Sequence, residues 1–252
     1  MKLHYGIAVT SSRQLAELPE LKGADFLEIS SGMIQTPDFA VPKGWKKRLF
    51  RAGGRSEART FSALIGAGSG MMLEFYRLFS ANCGEFVRLG IREVTLAVDW
   101  ESLLSDEGYA NDLRDVIRCC YGILTRYQLQ LLLELRIPGV ISARPMDFLK
   151  FRNSLLMPVR TLIDLHPHEP GALELLAEFS AKMPFDSSRF RLSFDSSGGN
   201  YLSSNLLEKI KESIRPVGKE IPEICFYPGR SADKAAYELL DAVMRCAEKP
   251  NC

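Results

Sequence analysis

The chain has 252 residues, 46% of them hydrophobic and 25% charged, with a formal net charge of +1; these proportions are those of an ordinary soluble protein and exclude a disordered tract. No apolar run reaches the roughly 20 residues that a membrane-spanning helix needs, and the one stretch dense in Lys and Arg, Lys43 to Arg55, reads as solvated surface, so neither a membrane nor a nucleic acid is an expected partner. The cysteines (Cys83, Cys119, Cys120, Cys225, Cys246 and Cys252) show no CxxC spacing, and the opening MKLHYGIAV lacks the features of a secretory signal; mostly buried, reduced thiols and a cytoplasmic location are the expectation.

At this length one domain is expected over residues 1–252. Short apolar runs alternate with longer segments of helical periodicity, the pattern of βα units around a parallel sheet. The predicted strands are LHYGIAV (3–9), DFLEIS (25–30), RTFSALI (59–65), EVTLAVD (93–99), LQLLLEL (129–135), VRTLIDL (159–165), FRLSFD (190–195) and EICFYP (223–228). After a shorter first unit they recur every 30 to 36 residues, which is the spacing of βα units that close into a (β/α)8 barrel of the TIM type.

Between the strands, the helix readings carry their own signals. The second unit is irregular, with SSGMIQTPDFAVPKGW looping before a short helix near Trp45. The third helix, MMLEFYRLFSANCGEFVRLG, repeats apolar residues at three and four and ends at Gly90. NDLRDVIRCCYGILTRY and HEPGALELLAEFSAKM read as the fourth and sixth helices, and SADKAAYELLDAVMRCAE as the eighth with Ser231 as N-cap. An open doubly wound sheet uses the same alternation, but the loop after the first strand, VTSSRQ, has no Gly-rich phosphate fingerprint.

In a closed barrel the chemistry sits where the strands end. Those positions are polar here: Ser11, Ser12, Glu28, Ser30, Ser62, Asp99, Glu101, Glu134, Arg136, Asp164, His166, His168, Asp195, Ser196, Ser197, Tyr227 and Arg230. Glu134 lies amid leucines, and burying its carboxylate is costly unless a cation or a hydrogen bond compensates. Two roles are open to it: a structural ion pair with Arg136 or Lys150 at the rim, or a metal ligand or general base. LIDLHPHEPG brings Asp164, His166 and His168 together at the mouth, a mixture of carboxylate and imidazole that a divalent cation such as Mn2+, Mg2+, Co2+ or Zn2+ accepts. The alternative is that Asp164 or His168 caps the next helix while His166 packs under a loop. Asp195 ends the seventh strand, and with Glu134 and Asp164 it makes three carboxylates that would raise one another's pKa unless a cation intervenes. Gly198 and Gly199 after the seventh strand, and Gly229 with Arg230 after the eighth, stand where barrels often bind phosphate, although glycine also serves any tight turn. No GxSxG elbow is present, and Cys225 inside its strand reads as buried and inert.

The segments YGIAVTSS, ADFLEIS, LGIREVTLAVD, LLLELR, TLIDLHP and LSFDSS together resemble the xylose isomerase-like barrels, which include sugar phosphate isomerases and epimerases and the endonuclease IV relatives. The resemblance spans the whole chain. It implies a divalent metal held by a Glu of the fifth strand, an Asp of the sixth, a His of the seventh and a Glu of the eighth, and proton transfer at the carbon next to a carbonyl. Glu134 matches the first ligand and Asp164 the second. The seventh strand offers Arg191 and Asp195 but no histidine, the eighth has Tyr227 in place of the glutamate, and Pro167 stands where a companion histidine would be.

Two functions follow as expectations. One is a sugar or sugar-phosphate isomerase or epimerase, with Glu134, Asp195 and His166 as acid/base groups, Glu134 and Asp164 (with Asp195 and His168 as further candidates) as metal ligands, and Gly198, Gly199, Gly229 and Arg230 as anion binders. The other is a metal-free, non-catalytic barrel that binds a carbohydrate or phosphate and has lost the metal site. An abasic-site endonuclease is disfavoured, because three histidines cannot supply its metal cluster. The sequence sets neither the substrate nor the oligomeric state, and a homo-oligomer stays open.

Overall fold

In the computed structural model the described residues are 3–18, 21, 23–30, 58–65, 69–88, 91–98, 100–137, 145–182, 189–194, 203–214, 222–229 and 232–247. Eight strands run His4–Val9 (β1), Phe26–Ser30 (β2), Ala58–Ile65 (β3), Glu93–Val98 (β4), Gln130–Ile137 (β5), Arg160–Leu165 (β6), Arg189–Ser193 (β7) and Glu223–Tyr227 (β8). All pairs are parallel, each strand lies beside its successor, and β8 returns to pair with β1 to close the barrel. Every predicted strand is present with its ends within two residues of the expected ones.

Alternation along each strand sorts the side chains between two cores. Tyr5, Ile7, Leu27, Ile29, Val94, Leu96, Leu131, Leu133, Ile163, Phe190, Leu192, Ile224 and Phe226 join the large apolar cluster that includes helix side chains, so they face outward beneath the helical ring. The intervening residues face the barrel axis. The apolar side chains there are Ala8, Phe26 and Cys225, with Tyr227 against them, and the buried Leu132 and Leu162. Gly6 is needed at this level because Phe26, its register partner on β2, lays its ring where a side chain would go; a Cβ on Gly6 would stand 2.3 Å from it.

The described helices are Ser12–Glu17 (α1), Ser69–Arg88 (α2), Trp100–Ser105 (α3), Glu107–Tyr127 (α4), Pro145–Ser154 (α5), Ala172–Lys182 (α6), Ser204–Ser213 (α7) and Lys234–Ala247 (α8). Asp106 caps α4 by accepting from the Tyr109 N–H, and Gln128 ends it in the left-handed region at φ 54°. The expected N-cap of the last helix is corrected: α8 starts at Lys234, and Asp233 fills the role by accepting from the Ala236 N–H. Ser231, Gly90, the helix near Trp45 and the Lys43 to Arg55 run lie outside the described residues. Among the described residues no helix is long and apolar enough to cross a membrane, and the described cysteines are free, with Cys83, Cys120 and Cys225 buried.

Candidate active site

Strand β7 reads Arg-Phe-Arg-Leu-Ser, and period-two alternation turns Arg189, Arg191 and Ser193 toward the axis. Burying two guanidinium groups inside a barrel is tolerable only where carboxylates meet them. Each arginine finds its own set. At the amino end, the Arg189 Nε lies 3.1 Å from Glu93 Oε1 of β4 and 3.1 Å from Glu223 Oε2 of β8. Nearer the carboxyl end, Arg191 donates from one terminal nitrogen to Glu134 Oε2 of β5 at 2.6 Å and from the other to Glu28 of β2. Its first nitrogen also stands 3.7 Å from Asp164 Oδ2 of β6. Strands β2, β5 and β7 are not neighbours, so these contacts reach across the lumen.

Glu28 and Asp164 are buried, Glu134 keeps 13% of its side chain exposed, and Arg191 among them is 8% exposed in its side chain. Asp164 is held further by Ser193, whose hydroxyl donates to Oδ1 at 2.6 Å, and by His166, whose Nε2 is 3.8 Å from Oδ2. The His166 N–H donates to Ile137 O, and its Nδ1 lies 3.7 Å from Glu169, so the imidazole bridges the rim between two carboxylates. From outside the sheet, the buried Trp100 indole N–H donates to the Glu134 carbonyl at 3.2 Å. That indole packs on Phe148 and Phe151 of α5, which ties the backbone of β5 to the outer helices at the residue that matters.

The environment drives the two carboxyls of β5 and β6 apart. Burial, with the charges of Asp164 and Glu28, pushes the Glu134 carboxyl above the ordinary carboxylate range against the opposing pull of Arg191. Burial acts on Asp164 in the same sense, but the adjacent His166 imidazole, the charge of Arg191 and the hydrogen bond from Ser193 outweigh it and hold Asp164 below its ordinary value. Burial likewise penalises the Arg191 charge, and its three carboxylates more than offset that, raising it well above the usual arginine value. Two carboxyls displaced in opposite directions at one site are the arrangement that separates an acid/base group from a fixed anion. Cys225 takes no part as a nucleophile: burial, then the charge of Glu28, push its thiol well up.

The structure brings together Glu134, Asp164 and His166 of the residues expected from the sequence. The expected partners of Glu134 are corrected. Arg136 faces Glu169 at 3.8 Å, Lys150 faces Asp147 within α5 at 3.3 Å, both pairs exposed, and the cation on Glu134 is Arg191. The capping alternative for Asp164 and His168 is also corrected: α6 begins at Ala172, Asp164 points into the barrel, and His168 is exposed, edge-on to the Phe194 ring at 5.9 Å. His168 is thus apart from the carboxylates. Gly229 has a positive φ of 87°, and its carbonyl accepts from Gln14 of α1 and from the Ala232 N–H, so a tight turn accounts for this glycine. Asp195, Gly198, Gly199 and Arg230 lie outside the described residues.

As they stand, these residues do not fit a divalent ion. The hydrogen-bond distance between Arg191 and Glu134 leaves no space for a cation between them, Asp164 is shared among Arg191, Ser193 and His166, and among the described residues no group of three or more His, Cys, Asp or Glu is set to hold a metal. Glu28 and Arg191 are the functional candidates that the sequence left without a role. The available signal was the alternation in RFRLS, which turns a charged side chain inward between outward-facing Phe190 and Leu192.

No protein-family model matches the chain, and no curated protein matches it either. Solved structures do match over nearly its whole length. The 3-keto-D-glucoside 4-epimerase of E. coli superposes with a TM-score of 0.66 at 15% identity, covering 97% of this chain and 100% of that one. A sugar phosphate isomerase/epimerase from Parabacteroides distasonis gives 0.58 at 10% identity over 95% and 92%, and the IolI protein, described with a bound zinc atom, 0.57 at 14% over 98% and 95%. At these identities the likeness establishes architecture alone: the chain has the closed (β/α)8 TIM-barrel fold that these proteins share, the fold class its sequence predicted.

Proposed function

We propose that this barrel is a sugar or sugar-phosphate isomerase or epimerase that moves a proton at the carbon next to a carbonyl, with Glu134 as the group that takes and returns it. The observation that carries the reading is the opposed displacement of two carboxyls at one barrel mouth, Glu134 upward and Asp164 downward. A base whose proton affinity is raised toward the working pH is matched to removing a weakly acidic C–H proton and giving it back. The electron pair left by that proton moves onto the carbonyl oxygen, and a positive group nearby lowers the cost of the resulting enolate. Reprotonation at the same carbon from the other face gives an epimer; reprotonation at the former carbonyl carbon, with the hydroxyl proton relocated, gives the isomer. Ser193 and His166 hold Asp164 in place, and the small-molecule partner enters from the carboxyl ends of the strands. The neighbours that act on sugars support the substrate class; Asp195 is the further acid/base group we assign, and Gly198, Gly199 and Arg230 are the residues we assign to the phosphate end.

The test is turnover of a panel of aldoses, ketoses and their phosphates in chelator-treated buffer by the wild type and by Glu134→Gln. Conversion of one sugar is expected, falling about 10²- to 10⁴-fold in the variant, the usual worth of a positioned proton-transfer group. Equal rates in both proteins would remove Glu134 from the chemistry. Saturable sugar binding with no conversion would favour the non-catalytic barrel, a reading to which the complete pairing of Arg191 with three carboxylates lends its own support.

A further inference from the structure

We propose that the guanidinium of Arg191 is the resident cation of this site, a permanent side-chain charge standing where the related barrels would place a divalent metal. It concerns the same mouth as the proposed reaction and rests on that reading only for the use to which the charge is put. Three observations carry it. The strand that supplies Arg191 is the one from which the resemblance draws a histidine ligand, and here its inward positions hold Arg189, Arg191 and Ser193 instead. The guanidinium lies among Glu28, Glu134 and Asp164, whose separation in sequence leaves the lumen as their only meeting point. Its contacts are also exclusive: a carboxylate oxygen that accepts from a guanidinium at 2.6 Å cannot simultaneously coordinate an ion at about 2.0–2.6 Å on the same side.

Arginine suits the role because it stays charged at every physiological pH and offers donors in a rigid fork that holds several carboxylates at once. The side chain cannot swing aside cheaply, since that would leave three carboxylates, two of them buried, facing one another. The site therefore keeps a positive charge near a substrate oxygen without depending on metal supply. The same geometry has a converse consequence: deleting the guanidinium empties the centre of a ring of carboxylates and turns it into a divalent-cation site.

The experiment uses the full chain, stripped with chelator, with Mn2+ and Zn2+ titrated into the wild type, Arg191→Ala, and Arg191→Met combined with Glu28→Gln. Metal retained after desalting is read by mass spectrometry and the melting temperature by calorimetry. The expected result is no stoichiometric metal and no shift in the wild type, with close to one equivalent and a metal-dependent rise in melting temperature in the variants, as mass action requires of a ligand that binds the folded state. Should a variant be unfolded as purified, it is refolded with and without Mn2+: metal-dependent recovery supports the proposal, and failure to recover in metal contradicts it. One equivalent in the wild type that is lost in Glu134→Gln would overturn it, and so would folded variants that take up no metal. None of these outcomes depends on sugar turnover, so failure of the isomerase reading leaves this result separately legible.

Discussion

Glu134 shows how one residue's surroundings set its chemistry. It is flanked by Leu133 and Leu135, which face outward, and its own side chain enters a lumen where Asp164 and Glu28 repel it and Arg191 attracts it. Because its carboxyl in the folded protein is raised above the ordinary 4.5, the folded state holds this proton more tightly than the unfolded chain does. The stabilisation this brings is fully present below the unfolded value and is lost as the pH rises through the folded one. Glutamine mimics the protonated acid at every pH. Measured by calorimetry across the acid to neutral range, Glu134→Gln is therefore expected to match the wild type at low pH and gain stability relative to it as the pH rises above about 4.5. A gap that stays constant with pH would mean that Glu134 titrates as an ordinary carboxylate. Asp164 has the opposite sign: its depressed value contributes stability above the unfolded 3.8 that is lost as the pH falls through the folded value.

At the scale of the element, β7 carries two arginines two residues apart with different work. Arg189 is the first residue of its strand and meets Glu93 and Glu223, the first residues of β4 and β8, so it closes the amino end of the lumen, the face that barrels use for stability. Arg191 meets its partners nearer the carboxyl end, where the chemistry sits. Arg189→Met should cost about 3–5 kcal/mol in denaturant unfolding by stranding two buried carboxylates, while leaving ligand binding at the mouth unchanged; a weakened ligand without lost stability would reverse the assignment. Strands such as LQLLLEL and TLIDL were legible because an apolar run with a lone carboxylate marks both the element and the costly inward residue. The role of Arg191 was not, because nothing local to RFRLS says which carboxylates it meets: Glu28 is 163 positions away and Glu134 is 57. The Asp233 cap was missed for a smaller reason, since Ser231 and Asp233 are both good caps and the backbone chose the later one.

The whole molecule supplies what neither residue nor strand can. Glu28, Glu134, Asp164 and Arg191 come from four strands, and only closure of β8 onto β1 gathers them around one axis. The regular recurrence of βα units made that closure readable from the sequence, whereas the charge balance inside it depends on cross-lumen distances that no periodicity encodes. The central claim is that this closed lumen splits two carboxyls in opposite directions around a fixed arginine. The most direct measurement is a pH titration of the Glu134 and Asp164 side-chain carboxyl carbons by 13C NMR, with Arg191→Met as comparison. The account predicts that Glu134 titrates above the ordinary carboxylate range and Asp164 below it, and that both move upward when the guanidinium is removed. Two ordinary titrations, or an unchanged pair in the arginine variant, would contradict it.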